Sequence, residues 1–279
     1  MWTISKIELF KVFQRPRTYI SFGAIAAIVF LIQLAFYADG GAYVQFMLQS
    51  VNETFSIDGK ILNGYLICFI LLQTLLIHVP LLIALVAGDM IAGEANMGTL
   101  RLLISKPISR TKLLLSKFFA SAVYTLCLLI WMAILSLLFS ILIFGTSDLM
   151  IFKSEQIVIL EEADVMWRYF AAFGFAAIAM TTVAALALLL SIFAENSIGP
   201  IITTMSIIIL FTILTTMDLP LFNVLKPYIF TSHMLGWKGF FDDPVNYSNV
   251  LWSAGYLCLH ILLFVGTAVV VFRRKDILS

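Results

Sequence analysis

The sequence predicts an all-α integral membrane protein with six transmembrane helices, and three observations lead there. Of its 279 residues, 62% are hydrophobic and only 12% charged, and the mean hydropathy is +1.04; a soluble domain is about a quarter charged. Six apolar runs are long enough to cross a hydrocarbon core, which is about 30 Å thick and takes roughly 20 helical residues. The short alternating strands that a closed membrane barrel needs, the other way to satisfy every backbone group in lipid, are not seen.

Taken in order, MWTISKIELFKVFQR reads as a helix with Trp2, Leu9, Phe10, Val12 and Phe13 toward one side. Lys11, Gln14 and Arg15 fall opposite, and Ile4 and Ile7 blur the separation. Such a helix is expected to lie in the membrane interface and to break at Arg15-Pro16, because the residue before a proline is steered out of the helical region. The first span, about 18–38, is too long for a signal-peptide core and no small-residue cleavage site closes it, so it is expected to stay in the protein. The second, about 61–88, exceeds what a bilayer requires, and Pro80 predicts a kink or tilt within it. Gln73, Thr74 and His78 precede that proline and either line a polar path or hydrogen-bond neighbouring helices. Spans three to six follow at about 118–144, 167–194, 197–217 and 248–272.

The fourth span is rich in small residues, among them Ala172, Gly174, Ala176, Ala179, Ala184 and Ala187, which suits close packing within the chain more than a dimer seam. The fifth carries Thr203, Thr204, Ser206, Thr212, Thr215 and Thr216 and is expected to face other protein or a path. Between them and the last span, residues 218–247 are too apolar for a free loop and too broken to span. A partly inserted helical segment is expected there. The three cysteines, Cys68, Cys127 and Cys258, all lie in apolar runs and read as small core residues. Neither repeats nor a soluble domain is evident, so 1–279 forms a single transmembrane domain.

Charge fixes an orientation. Twelve of the 17 basic residues lie in the N-terminal segment, the 89–117 connection and the C-terminal tail, and the other five (Lys60, Lys153, Arg168, Lys226 and Lys238) lie on the opposite side. By the positive-inside rule both termini and the 89–117 connection are cytoplasmic. A cysteine placed at Ser56 or Ser154 is then expected to react with an impermeant thiol reagent in intact cells, and one at Ser105 is not.

That connection includes GEANMGTLRLLISKPISRTKLLLSK, residues 93–117, with five basic residues and one acid. At roughly 3 kcal/mol per charge at mid-bilayer it stays out of lipid. Residues 90–104 read as one short helix with Met97, Leu100, Leu103 and Ile104 along a stripe and Glu94 and Arg101 beside it. Lys106-Pro107 ends it, and Ser109 is the expected N-cap of the next helix, which runs through Lys117 into the third span. Two readings fit: an amphipathic element that passes a partner's push to two spans, or a basic loop resting on anionic headgroups.

The run GDMIAGEANMGTLRLLISKPISRTKLLLSKF resembles the cytoplasmic loop of ABC type 2 (ABC-2-type) transporter permeases. In that family a Gly-Glu, a Gly-Thr-Leu, a Pro-x-Ser-Arg and a downstream Lys recur between the second and third spans. The matching residues here are Gly93-Glu94, Gly98-Thr99-Leu100, Pro107-Ile108-Ser109-Arg110 and Lys117. The resemblance implies a permease subunit of an exporter in the cytoplasmic (inner) membrane, embedded in lipid, that pairs with a second permease copy and couples to a separate cytosolic ATPase. The connection becomes a coupling helix, with Gly93, Glu94, Met97, Gly98, Thr99, Leu100, Arg101, Leu103, Pro107, Ser109 and Arg110 as the partner-binding set. Within it Glu94 would pair with a basic residue of the ATPase or cap backbone donors, and Gly98 would permit close approach.

Other classes have less support in the residues. No Gly-x-x-x-x-Gly-Lys-Ser/Thr phosphate loop occurs, so ATP and Mg are expected in the partner ATPase and no catalytic residues in this chain. His78, His233 and His260 lie far apart, no His-Glu-x-x-His occurs, and no metal site is expected. Glu161-Glu162 followed by Arg168 faintly resembles the Glu-Glu-x-x-x-Arg of CAAX-type membrane proteases, with the arginine two positions late. A stand-alone secondary carrier is the other alternative, though charged residues within spans and inverted repeats are not evident. Nucleic acid is not an expected partner.

Overall fold

A computed structural model describes residues 2–48, 60–105, 107–153, 157–217 and 220–275. Ser56, Ser154 and Lys106 lie outside them. Among the described residues six helices are long and apolar enough to cross a membrane: Pro16–Phe46, Gly64–Asn96, Arg110–Phe144, Glu162–Ser191, Ile198–Thr216 and Tyr247–Arg274. This is the architecture of an α-helical, multi-pass membrane protein.

Helix α1 (Trp2–Gln14) precedes the first span, α2 (Pro16–Leu48). Pro16 opens α2, where its missing N–H has no helical partner to lose. The helical path runs ten residues past the expected end at 38, through a kink at Asp39 (φ −130°, ψ 15°) just ahead of Gly40-Gly41. Helix α3 (Gly64–Ala87) is capped by Asn63, whose side chain accepts from the Leu66 N–H at 3.0 Å while its amide donates to the Asp148 carbonyl at 2.8 Å. Across Gly88 the chain passes directly into α4 (Asp89–Asn96), and after a turn into α5 (Thr99–Ile104).

The third span is interrupted. Helix α6 (Arg110–Ala133) continues as a π-helical segment, Ile134–Leu138, before resuming as α7 (Phe139–Phe144). A π turn leaves a carbonyl short of its usual partner. The Gln33 side-chain amide, only 2% exposed, donates to the Leu135 carbonyl and to Ser140 Oγ, each at 3.0 Å. A two-stranded antiparallel hairpin, β1 (Leu149–Phe152) and β2 (Ile157–Leu160), then follows. The helix-only expectation missed it; Ile157, Val158 and Ile159 are the β-branched residues that favour a strand.

Helix α8 (Glu162–Ser191) is the centre of the bundle, packed against α3, α6 and both later spans, α9 (Ile198–Thr216) and α12 (Tyr247–Arg274). Ala172, Ala176, Ala179, Ala184, Ala185 and Ala187 are all fully buried, so the small-residue stripe serves packing within the chain. Thr203, Thr204, Thr215 and Thr216 bond to carbonyls of α9 itself, which leaves them no need of a polar neighbour. Residues 220–241 form short broken helices: α10 (Pro220–Asn223), a 3-10 turn at Lys226–Tyr228, α11 (Phe230–Met234) and a 3-10 stretch at Leu235–Phe241. Phe230, Trp237 and Phe241 turn inward and are buried.

One expectation changes. Of the cysteines only Cys68 is in the core; Cys127 is partly buried and Cys258 exposed on α12. Gln73 and His78 are exposed on α3, with His78 Nδ1 2.8 Å from the Thr74 carbonyl of the same helix.

Candidate functional site at the basic end of the bundle

The N-terminal segment, the 89–117 connection and the C-terminal tail meet at one end of the bundle, and a buried set of charges joins them. Helix α1 turns Ser5, Glu8 and Val12 inward and leaves Trp2 and Phe10 exposed. Of the apolar side expected from the sequence, Trp2 and Phe10 are exposed, Val12 is buried and Leu9 packs partly against the core. A carboxylate is buried at acceptable cost only when paired and hydrogen-bonded, and Glu8 is paired twice. Its Oε1 is 2.9 Å from Lys11 Nζ and its Oε2 2.8 Å from Lys117 Nζ. Both lysines also meet Glu94, Lys11 at 2.9 Å and Lys117 at 2.7 Å, the latter an ion contact outside hydrogen-bond geometry.

The result is a closed ring of four alternating charges, neutral in sum, in which each lysine bridges both carboxylates. Glu8, Glu94 and Lys117 are almost wholly buried and Lys11 is about a third exposed. Burial pushes the Glu8 carboxyl up, but Lys117 and then Lys11 outweigh it and hold it below the ordinary value. Burial likewise pushes Lys11 down, and its hydrogen bonds to Glu8 and Glu94 more than restore it. Nearby, Ser5 Oγ donates to Ser116 Oγ at 3.2 Å, adding a second tie between α1 and α6.

A second cluster is centred on Asp89, the first residue of α4. Its carboxylate takes Arg17 at 2.8 Å, and also Arg15 and the hydroxyl of Ser197. The start of α2, the start of α4 and the turn between α8 and α9 are thereby joined through one acid.

The predicted partner-binding residues divide between interior and surface. Gly93 is buried against Asp89, whose Oδ1 would sit 2.4 Å from an added Cβ, so the glycine is needed for that contact. Glu94 is in the ring, so within the chain its carboxylate meets Lys11 and Lys117. Leu100, 3% exposed, packs into the main core, and Leu103 packs partly against it. Gly98 has φ +69° with nothing of this chain within 4 Å of an added Cβ, and it forms the left-handed turn that ends α4. The single helix expected over 90–104 is therefore two helices, and the turn re-aims Met97. It faces solvent with Thr99, Arg101 and Leu102, while Leu100 points in. The Ile104 side chain lies outside the description.

Ser109 caps α6 as expected, accepting from the Lys112 N–H at 3.3 Å. Arg110 reaches the end of the last span and donates to the carbonyls of Phe272, Arg273 and Lys275 at 3.4, 3.2 and 2.6 Å. Those are the unpaired carbonyls and negative dipole end of α12, where a cation is favourable. Pro107 is exposed. Two concavities flank the α4–α5 turn. One, about 380 Å³, has an apolar floor of Met97, Leu102 and Leu103 beside Lys11, Arg15 and Glu94; the other, about 220 Å³, is lined by Arg15, Arg17, Asp89, Asn96, Met97 and Ser197. Among the described residues no three His, Cys, Asp or Glu side chains converge as metal ligands.

Sequence reasoning had not placed Glu8, Lys11, Arg15, Arg17 and Asp89 in the site, and had quoted Lys117 for the motif alone. The chain matches the family described as "Protein of unknown function (DUF2705)" over residues 22–278. It belongs to that family. It is also similar to "Uncharacterized protein YhcI" of Bacillus subtilis (strain 168), 24% identical over 199 residues, which are 69% of this chain and 63% of that protein. The chain thus spans about 63% of the length of the curated relative it matches.

Proposed function

We propose that this chain is the transmembrane permease subunit of an ABC-2-type exporter. In this reading it forms a translocation path with a second permease copy and draws on a separate cytosolic ATPase that binds ATP and Mg. The basic end is cytoplasmic, in keeping with the twelve basic residues gathered there. Helix α1 lies along the inner leaflet, and the short helices of 220–241 dip into the outer one.

One observation carries the reading: the α4–α5 turn is held by ion pairs yet presents an exposed apolar-and-basic surface. The ion ring ties it to α1 and α6, and Asp89 ties it to α2 and the α8–α9 turn. Four of the six spans are thereby linked to an element exposing Met97, Arg101 and Leu102. A partner seated in the adjoining 380 Å³ groove would displace those spans together. The groove offers what a docking site uses, a few apolar anchors beside cations that set orientation.

The test is affinity purification of the tagged full chain from its native membrane, followed by assay for ATP hydrolysis. We expect a second protein with a Walker phosphate loop to co-purify in fixed stoichiometry, with hydrolysis lost when that protein's phosphate-loop lysine is replaced. Transport by the purified chain alone, driven by an ion gradient, would refute the reading.

A further inference from the structure

We propose that the 220 Å³ cavity beside the α4–α5 turn binds the headgroup of an anionic phospholipid. The inference rests on the membrane-spanning architecture and not on the transporter reading. Three independent features converge on this cavity.

The first is unbalanced charge. Arg15 and Arg17 both line the cavity and share a single carboxylate, Asp89, so the cluster keeps one positive charge in excess. The adjoining ring of Glu8, Lys11, Glu94 and Lys117 is neutral and does not supply the missing anion. Asp89 is itself saturated by Arg15, Arg17 and Ser197, which leaves the outer sides of the guanidiniums for a further acceptor. Arg17 is about half exposed and reachable. Guanidinium forks suit phosphate oxygens in particular.

The second is the direction of the backbone. Two spanning helices start at the rim: α2 at Pro16, which lines the cavity, and α9 at Ile198, whose cap Ser197 lines it. The Ser197 hydroxyl is turned to Asp89, and of the first N–H groups of α9 that of Gly199 is taken by Asn196 Oδ1 at 3.0 Å. Both helix starts direct their positive ends toward the same space, which favours an anion over water.

The third feature selects a lipid over a soluble anion. Two spans begin at its rim, so in a bilayer the cavity would meet the lipid phosphates. In the first turns of those spans Tyr19 and Ile20 on α2 and Ile198 and Ile202 on α9 are exposed. Both helices pack on α3, which exposes Ile77 and Leu81. Exposed apolar side chains on the helices that start at the basic cavity offer an acyl chain the surface it requires.

The purified full chain in neutral detergent would be titrated with phosphatidylglycerol and with phosphatidylcholine of the same acyl chains, and bound lipid counted by native mass spectrometry. We expect about a tenfold preference for phosphatidylglycerol, equivalent to about 1.4 kcal/mol, and a rise in melting temperature with that lipid alone. Arg17→Gln should erase both effects; the protein should stay folded, because Arg15 continues to pair with Asp89. Lys112→Gln removes an exposed cation of the same end that does not line the cavity, and should keep both. Equal loss in the two variants would reduce the effect to diffuse surface charge and overturn the proposal. So would displacement of the lipid by millimolar inorganic phosphate, which would mark a soluble-anion site. Unchanged preference in Arg17→Gln and in Arg15→Gln would also overturn it.

Discussion

The two ends of the bundle hold their innermost cations in different ways. At the hairpin end each takes backbone carbonyls: Lys60 that of Phe144 at 2.7 Å, Lys153 that of Phe241 at 3.3 Å, and Arg168 those of Phe240 and Asp242 at 2.8 and 2.7 Å. The acids there, Asp164, Asp242 and Asp243, are substantially exposed. At the basic end, Lys117 has no water-accessible partner and depends on two carboxylates that are themselves buried. Cations that satisfy helix ends tolerate water and salt, and exposed ion pairs add little. A closed ring of buried charges is all-or-none, since losing one member strands the rest. The hairpin end is pinned by many replaceable contacts, whereas the basic end has discrete geometry.

Lys117→Met sharpens that contrast most. It strands Glu8 and Glu94 in a buried site with only Lys11 between them, and should cost about 3–5 kcal/mol, seen as a large fall in the melting temperature of the detergent-purified protein. Adding Glu94→Gln to it leaves the neutral Glu8–Lys11 pair, 2.9 Å apart, and should recover part of that loss. A double variant no more stable than the single one would show that the ring is not an electrostatic unit.

Arg168→Gln is the matching test at the hairpin end. It removes two charged hydrogen bonds to carbonyls but strands no buried acid, because Asp164 is nearly half exposed. The expected cost is about 2 kcal/mol, smaller than that of Lys117→Met. Equal costs would erase the difference drawn between the ends.

How much of this was legible in the sequence follows from which forces act locally. The six spans were, because length and apolarity alone decide whether a segment crosses a bilayer. Their interruptions were not: the π segment depends on Gln33, about a hundred residues away, and only Gln33, Ser136 and Ser140 within apolar runs betray it. The candidate site was legible as a place and misread as a face. Treating 90–104 as one helix put Met97 and Leu100 on one stripe, and the left-handed Gly98 separates them. A usable signal was present in the acids. Few lie on the basic side, and Glu8, Asp89 and Glu94 among them are the three that hold the end together.

A pH series probes the ring more gently. A carboxyl held below its ordinary 4.5, as Glu8 is, contributes stability above that value and loses it as the pH falls through the lower, folded one. Lys11, held above its ordinary 10.5, contributes below that value and loses it as the pH rises through the higher, folded one. Melting temperature should therefore decline below pH 4.5 more steeply in the wild type than in Glu8→Gln, which is less stable at neutral pH but has no such group to titrate. Parallel curves would mean that the Glu8 pairing carries no net stability.

The smallest effect on the fold should come from the surface the ring supports. Met97 and Leu102 are 59% and 68% exposed, so Met97→Glu and Leu102→Glu should each change stability by no more than about 0.5 kcal/mol. Burial separates them from Leu100 and Glu94, whose substitution would damage the fold, and backbone conformation separates them from Gly98, where any side chain strains the left-handed turn. If the 380 Å³ groove seats the ATPase, a carboxylate on its apolar floor must be desolvated at the contact. Each variant should then lower affinity for that subunit by roughly thirtyfold, the consequence of losing about 2 kcal/mol at one anchor. The measurement is co-purification of the proposed ATPase at graded concentrations, with the melting temperature of this chain recorded alongside. Unchanged co-purification in both variants, with the fold intact, would leave the groove a membrane-surface feature and place any coupling elsewhere on the basic end.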